Sequence, residues 1–160
     1  MKKLIYTLII IIAFTNNSFS AGTSSNSADS SNYTKAYNLI KSAKKYEKKG
    51  KTEKALKKYS KAQKLLIKSN KKKPKQADTL NYLGFTTRKL GNYEKGEEFY
   101  LQGLQIDPNH QGINEYLGEL YVVTGRINLA KERLEVLKNC SCEEYNELKE
   151  IIDGTKKSKY

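Results

Sequence analysis

The sequence predicts an all-α protein, an α-solenoid of about three helix–turn–helix units closed by a C-terminal capping helix. Three observations predict it. First, Tyr82-Leu83-Gly84 recurs as Tyr116-Leu117-Gly118 after 34 residues, Gly91 recurs as Gly125 at the same offset, and Gly96 aligns with Ala130. Second, a fainter earlier copy appears at an offset of 41, where Gly50 matches Gly91, Ala55 matches Gly96, Tyr59 matches Tyr100 and Ala62 matches Gly103. Third, apolar residues within the units fall three to four apart, the spacing of one helix face. Seven residues inserted around Asn70 to Gln76 separate the two offsets, so the units run about 36–69, 77–110 and 111–144.

In chain order the N-terminus comes first. Lys2 and Lys3 precede Leu4 to Phe14, a nearly unbroken apolar run of 11 residues, and polar Thr15 to Ser20 lead into Ala21. This is the layout of a secretory signal peptide over 1–20, with small Ser18 and Ser20 placing cleavage before Ala21. The run is short against the roughly 20 residues that span a bilayer. The mature chain is therefore expected to be exported, to the periplasm. Residues 21–33 are rich in Ser and Asn and read as a flexible linker, 34–154 as the repeat domain and 155–160 as a loose tail.

In the second unit Leu80, Leu83, Thr87 and Leu90 form one stripe, and Gly91-Asn92 breaks the helix. A second helix from Tyr93 to Ile106 carries Phe99, Tyr100, Leu104 and Ile106 toward a core, and Asp107-Pro108-Asn109 stops it. Small residues recur where helices must approach closely: Ala43, Gly84 and Gly118 in first helices, and Ala55, Gly96 and Ala130 in second ones. A helix-interior Gly costs roughly 1 kcal/mol relative to Ala, so these positions imply tight packing. Ser141 followed by Glu144 reads as a capping box. It opens a final helix of about 142–153 whose apolar face is Tyr145, Leu148, Ile151 and Ile152.

Charge is unevenly spread. The chain carries a formal +13, yet residues 41–75 alone hold 16 Lys against Glu47 and Glu53, so the remainder is close to neutral. That face suits an anionic lipid, a polyanionic wall polymer or an acidic partner, or is simply a solvated helix face in a lysine-biased sequence. Nucleic acid is disfavoured, since Arg is limited to Arg88, Arg126 and Arg133 and export separates the chain from the genome.

Catalytic chemistry is sparse. His110, the one histidine, sits in an inter-unit turn with no ligand cluster at a recognised spacing. No phosphate loop, nucleophile elbow or metalloprotease motif is present. Consecutive carboxylates such as Glu97-Glu98 and Glu143-Glu144 diverge around a helix and read as solvated or first-turn residues. The expectation is no enzyme, no cofactor and no metal. Cys140 and Cys142 leave a strained redox pair, a structural clip or two half-buried thiols open, and the absence of a thioredoxin-like βαβ pattern favours the structural readings.

The period of 34, the Leu-Gly pair, the small residues of the second helix, the aromatics Tyr59 and Tyr100 and the closing Asp107-Pro108-Asn109 resemble a tetratricopeptide repeat (TPR). Leu117–Tyr121 and Cys142–Tyr145 further resemble segments of small exported TPR proteins of alphaproteobacteria. Leu80 and Asn114 stand where Trp is usual, and Leu137 replaces a small residue. The exported proteins imply a structural bridge between Cys140 and Cys142, although their cysteines are more widely spaced.

The TPR resemblance implies a groove lined by first helices. Its positions would be Ile40, Lys44 and Lys48 in unit one, Asn81, Phe85, Arg88 and Lys89 in unit two, and Glu115, Glu119 and Val122 in unit three. Phe85, off the Leu80/Leu83/Leu90 stripe, is the expected exposed anchor. Lys44, Arg88 and Lys89 could hold a peptide carboxylate, though the full carboxylate clamp of chaperone-binding members is not reproduced. The expected partner is another protein, presenting a peptide or helix to this short groove. The alternatives are an electrostatic adaptor acting through the lysine-rich unit and a thiol redox accessory protein.

Overall fold

The computed structural model describes residues 24–158, with side chains from residue 32 onward. The expected signal peptide and its cleavage site lie outside the described residues. Three helix pairs follow one another: α1 (Ser24–Glu47) with α2 (Thr52–Lys72), α3 (Ala77–Lys89) with α4 (Tyr93–Leu104), and α5 (Gln111–Val123) with α6 (Ile127–Leu137). Then α7 (Glu143–Ile152) closes the array by packing on both α5 and α6. Successive pairs meet through α2 against α3 and α4 against α5. Among the described residues no helix is long and apolar enough to cross a membrane.

Turn chemistry fixes the pairs. Gly91 and Gly125 take left-handed φ values of 92° and 76°, which side-chain-bearing residues adopt only at a cost. At the first turn the Gly91 N–H returns to the Arg88 carbonyl at 2.9 Å. Asn92 then caps the next helix, its Oδ1 accepting from Lys95 N–H at 2.9 Å.

Glycines inside helices explain the close approach of the pairs. A Cβ on Gly84 would lie 2.5 Å from the buried Tyr100 ring, and one on Gly96 would lie 3.1 Å from the Gly84 carbonyl. Gly84 and Gly96 thus face each other across the α3/α4 seam. Gly118 gives the same clearance to Leu148 of the closing helix, with 2.5 Å to a hypothetical Cβ. These contacts connect the repeat pattern in the sequence directly to helix spacing in space.

The core is continuous across the units. One cluster runs from Ala36, Ile40 and Ala43 through Tyr59, Ala62 and Leu66 to Leu80, Leu83 and Phe85. A second joins Tyr100, Leu104, Ile113, Leu117, Leu120 and Ala130. Half-buried Tyr116 packs against both.

Four expectations need correction. The 21–33 linker is helical from Ser24 onward, so α1 is longer than the repeat pattern indicated. Its reason is packing: Ala36 is fully buried and the Tyr33 ring lies 6.0 Å from that of Tyr82, which anchors a helix that Ser and Asn extend at small cost. Ile106 lies past the end of α4 and is 42% exposed, because the helix stops at Leu104 before the Pro108 turn. Leu90, expected on the apolar stripe, is 38% exposed at the end of α3. The capping box is not formed: Cys142 is the N-cap of α7 and Ser141 holds a φ of 49° inside the Cys140–Cys142 disulfide ring. With Cα atoms 5.1 Å apart, the two cysteines are bridged at the α6–α7 corner.

Candidate partner groove

The first helices of the three units share one face, and its side chains interlock. Phe85 is fully buried there, edge-on to Tyr59 at 5.6 Å and tilted on Tyr116 at 5.1 Å. Lys44 Nζ sits 4.6 Å above the Phe85 ring and donates to the Tyr116 hydroxyl at 3.0 Å. Phe85 is therefore a core residue and not an exposed anchor. Its lack of stripe membership misled the sequence reading, because α3 is buried on more than one side, by α4, α2 and both neighbouring first helices.

The expected basic set is engaged within the molecule as well. Arg88 and Glu119, both with fully buried side chains, pair at 3.0 Å. Arg88 also donates to the Tyr116 carbonyl at 2.7 Å. Lys89 pairs with Glu47 at 2.6 Å, and Glu47 in turn accepts from the Tyr59 hydroxyl at 2.7 Å. Burial lowers the Lys89 ammonium below its ordinary range, with Glu47 opposing the shift. Ile40 is 1% exposed and belongs to the core. Lys48 is exposed at the end of the α1 region and Val122 is half-buried. Most of the other lysines of α1 and α2 are exposed, forming a solvated basic face.

Asn81 and Glu115 are the two expected groove residues that line an open cavity. This cavity, of about 650 Å³, is bounded by the start of α3, the Asp107–Gly112 turn, α5 and Glu144 of α7. A smaller one of about 200 Å³ shares Glu115, Tyr116 and Glu144 and adds Glu143 and Glu147. Among the described residues no lysine or arginine lines either one. Asp78, Asp107, Glu143, Glu144 and Tyr116 were not legible as site residues from periodicity. They converge only when the α4–α5 turn folds against α3 and the closing helix docks on α5.

His110 helps to build the cavity wall. It is the N-cap of α5: Nδ1 accepts from Ile113 N–H at 3.2 Å, which leaves Nε2 to donate to Asp78 Oδ1 at 3.2 Å. Asn114, in place of the usual Trp, donates to the Pro108 and His110 carbonyls at 3.0 and 3.1 Å and ties the same turn down. Carboxylate oxygens of Glu115, Glu119 and Glu147 lie within 4.8 Å of one another. Arg88 on Glu119 and Lys156 on Glu147, at 3.0 Å each, supply counter-charge to that group.

Burial and these carboxylates act on the neighbouring tyrosines. Tyr82 is pushed up to about 12 by burial first, then by Tyr37, Asp78 and Glu115. Tyr121 is pushed up to about 12 by burial and then by Glu97. Tyr59, Tyr100 and Tyr116 are raised further, again chiefly by burial. The folded state thus holds its phenol protons more tightly than the unfolded chain, whose tyrosines titrate near 10. The resulting stability is fully present below pH 10 and is lost as pH rises through the 10–12 window. Far-UV circular dichroism should therefore show the helical signal falling as pH rises through that window. A helical signal and a urea midpoint unchanged between pH 9 and pH 12 would refute this.

Solved structures similar to this chain are TPR domains. The Sgt2 TPR domain from Aspergillus fumigatus matches with a TM-score of 0.55 at 18% identity, over 75% of this chain and 78% of that one. The second TPR domain of human RPAP3, in complex with the HSP70 peptide SGPTIEEVD, matches with a TM-score of 0.52 at 17% identity, over 78% and 98%. The Arabidopsis OM64 TPR domain matches with a TM-score of 0.50 at 12% identity, over 78% and 99%. Neither a family model nor a curated protein sequence matches the chain. The fold is that of a TPR solenoid, three helix pairs with a closing helix.

Proposed function

We propose that this chain is a non-catalytic interaction module that binds a peptide segment of another protein, exported and acting in the bacterial envelope. The observation that carries the binding role is the open polar cavity at the junction of units two and three, floored by first helices α3 and α5. A cavity of about 650 Å³ falls in the range that holds several side chains of a bound segment. Its similarity in fold to the RPAP3 domain seen with a peptide supports the same use of the scaffold. The apolar run and small residues before Ala21 support export.

The test is a peptide array probed with the labelled full chain, followed by anisotropy in solution. The chain contains no Trp, so an extrinsic label is needed. Saturable binding of sequence-defined peptides, competed by unlabelled peptide, is the expected result. An array on which nothing binds above background would defeat the module reading. Envelope fractionation with N-terminal sequencing tests export separately, and a product starting at Ala21 is expected.

A further inference from the structure

We propose that the exposed face of α2 is a docking surface for an anionic lipid bilayer, separate from the peptide-binding cavity.

The sequence of α2 sets eight lysines against one glutamate, Glu53, in 21 residues. Its buried side is Ala55, Tyr59, Ala62, Leu66 and Ser69, and the helix packs on α1 and α3. Lys54, Lys57, Lys61, Lys64, Lys68 and Lys71 are all exposed and follow one another at steps of three and four residues. At 3.6 residues per turn those steps make one row, roughly 25 Å long. Exposed Lys72, Lys73 and Lys75 carry the charge past its end. Like charges at this spacing repel one another. Among the described residues no carboxylate pairs with any of the six. Outside unit one, by contrast, Lys95, Lys138, Lys149 and Lys156 each meet a Glu or Asp. A general lysine bias does not account for an unrelieved row on one helix. Its counter-charge has to come from another molecule.

A second observation selects the kind of anion. Leu56 and Ile67, on the same helix, are 38% and 51% exposed, and Ile67 is the most exposed large apolar side chain among the described residues. Being eleven residues apart, they fall within about 20° of each other around the axis, on one line beside the lysine row. A soluble phosphate polymer contacts the ammonium groups alone and leaves both aliphatic groups in water. A bilayer surface takes both. Headgroup phosphates receive the lysines at the ends of their long stems, and the acyl boundary receives Leu56 and Ile67. No Pro or Gly interrupts α2, so a planar surface meets the row along its length.

The experiment is co-sedimentation of the chain from Ala21 onward with sucrose-loaded vesicles. Every described helix lies within that chain, and the apolar Leu4–Phe14 run does not. The vesicles are phosphatidylcholine alone, or phosphatidylcholine and phosphatidylglycerol in equal parts. The chain should sediment with the phosphatidylglycerol vesicles only, and less so as salt rises. The quadruple variant Lys57→Gln, Lys61→Gln, Lys64→Gln, Lys68→Gln should weaken that partition about a hundredfold or more. Lys95→Gln, Lys131→Gln, Lys138→Gln and Lys149→Gln together remove the same charge elsewhere and should leave it nearly unchanged. Leu56→Ser with Ile67→Ser should weaken it severalfold, and circular dichroism should show the parent helical spectrum in all three variants. No sedimentation with phosphatidylglycerol vesicles would overturn the proposal. Equal losses in the two quadruple variants would also overturn it, by reducing the effect to net charge. Binding that ignores the Leu56 and Ile67 changes, yet is abolished by inorganic polyphosphate at matching phosphate, would replace the bilayer with a soluble polyanion. Peptide capture on the array depends on none of these residues, so the two readings fail separately.

Discussion

Glu119→Ala should lower the unfolding free energy by about 3 kcal/mol, the cost of breaking a buried ion pair. Arg88 and Glu119 are both sealed from solvent and pair at 3.0 Å between α3 and α5. Removing one partner leaves the guanidinium in a low-dielectric site that it does not leave without opening the unit-two/unit-three junction. Against a total of 5–15 kcal/mol typical of domains, that loss is large. Replacing both residues distinguishes charge from packing. Arg88→Met with Glu119→Leu fills similar volume without charge and should recover most of the loss, since desolvation of the pair offsets much of its attraction. Urea denaturation of the parent, the single and the double variant measures this. A single-variant loss below about 1 kcal/mol would mean that the pair is hydrated in solution.

Gly84→Leu should be at least as damaging, about 4 kcal/mol or more, beyond ordinary overpacking. The first added carbon already falls 2.5 Å from one Tyr100 ring carbon and 2.6 Å from the next. Tyr100 is fully buried, so its ring reaches solvent only if the α3/α4 seam opens. Retreat of α3 is blocked on the other side by Phe85, wedged between Tyr59 and Tyr116. Even Gly84→Ala should destabilise, although Ala gains roughly 1 kcal/mol in helix propensity. Truncating the obstacle provides the check: Tyr100→Ala should make Gly84→Leu less costly than it is alone. Strict additivity of the two changes in thermal denaturation would show that the ring is not the obstacle.

The repeat units, their turns and the closing helix were legible in the sequence because each rests on local rules. Period, Gly at left-handed turns and small residues at seams are all written in consecutive residues. Site geometry was less legible. Phe85 and Arg88 face neighbours more than 25 residues away, at Tyr59, Tyr116 and Glu119, and no spacing rule encodes such contacts. Polar residues at Arg88, Lys89 and Glu119 looked like ligand contacts, whereas burial forced them to satisfy one another. The acidic cavity was missed for the opposite reason. Asp78, Asp107 and Glu144 each look like an ordinary turn or first-turn carboxylate until α7 and the His110 turn bring them together.

Solenoids are usually chains of nearest-neighbour couplings, which lets an end unit fray while the rest stays folded. The Lys44–Tyr116 bond departs from that scheme, because it joins unit one to unit three across a separation of 72 residues. Lys44 also lies over Phe85 of unit two, so one ammonium touches all three units. Loosening unit one therefore exposes the aromatic seam of the other two, and stability is held in common rather than unit by unit. A chain this short then melts as one body, with the lysine-rich end supplying the lock.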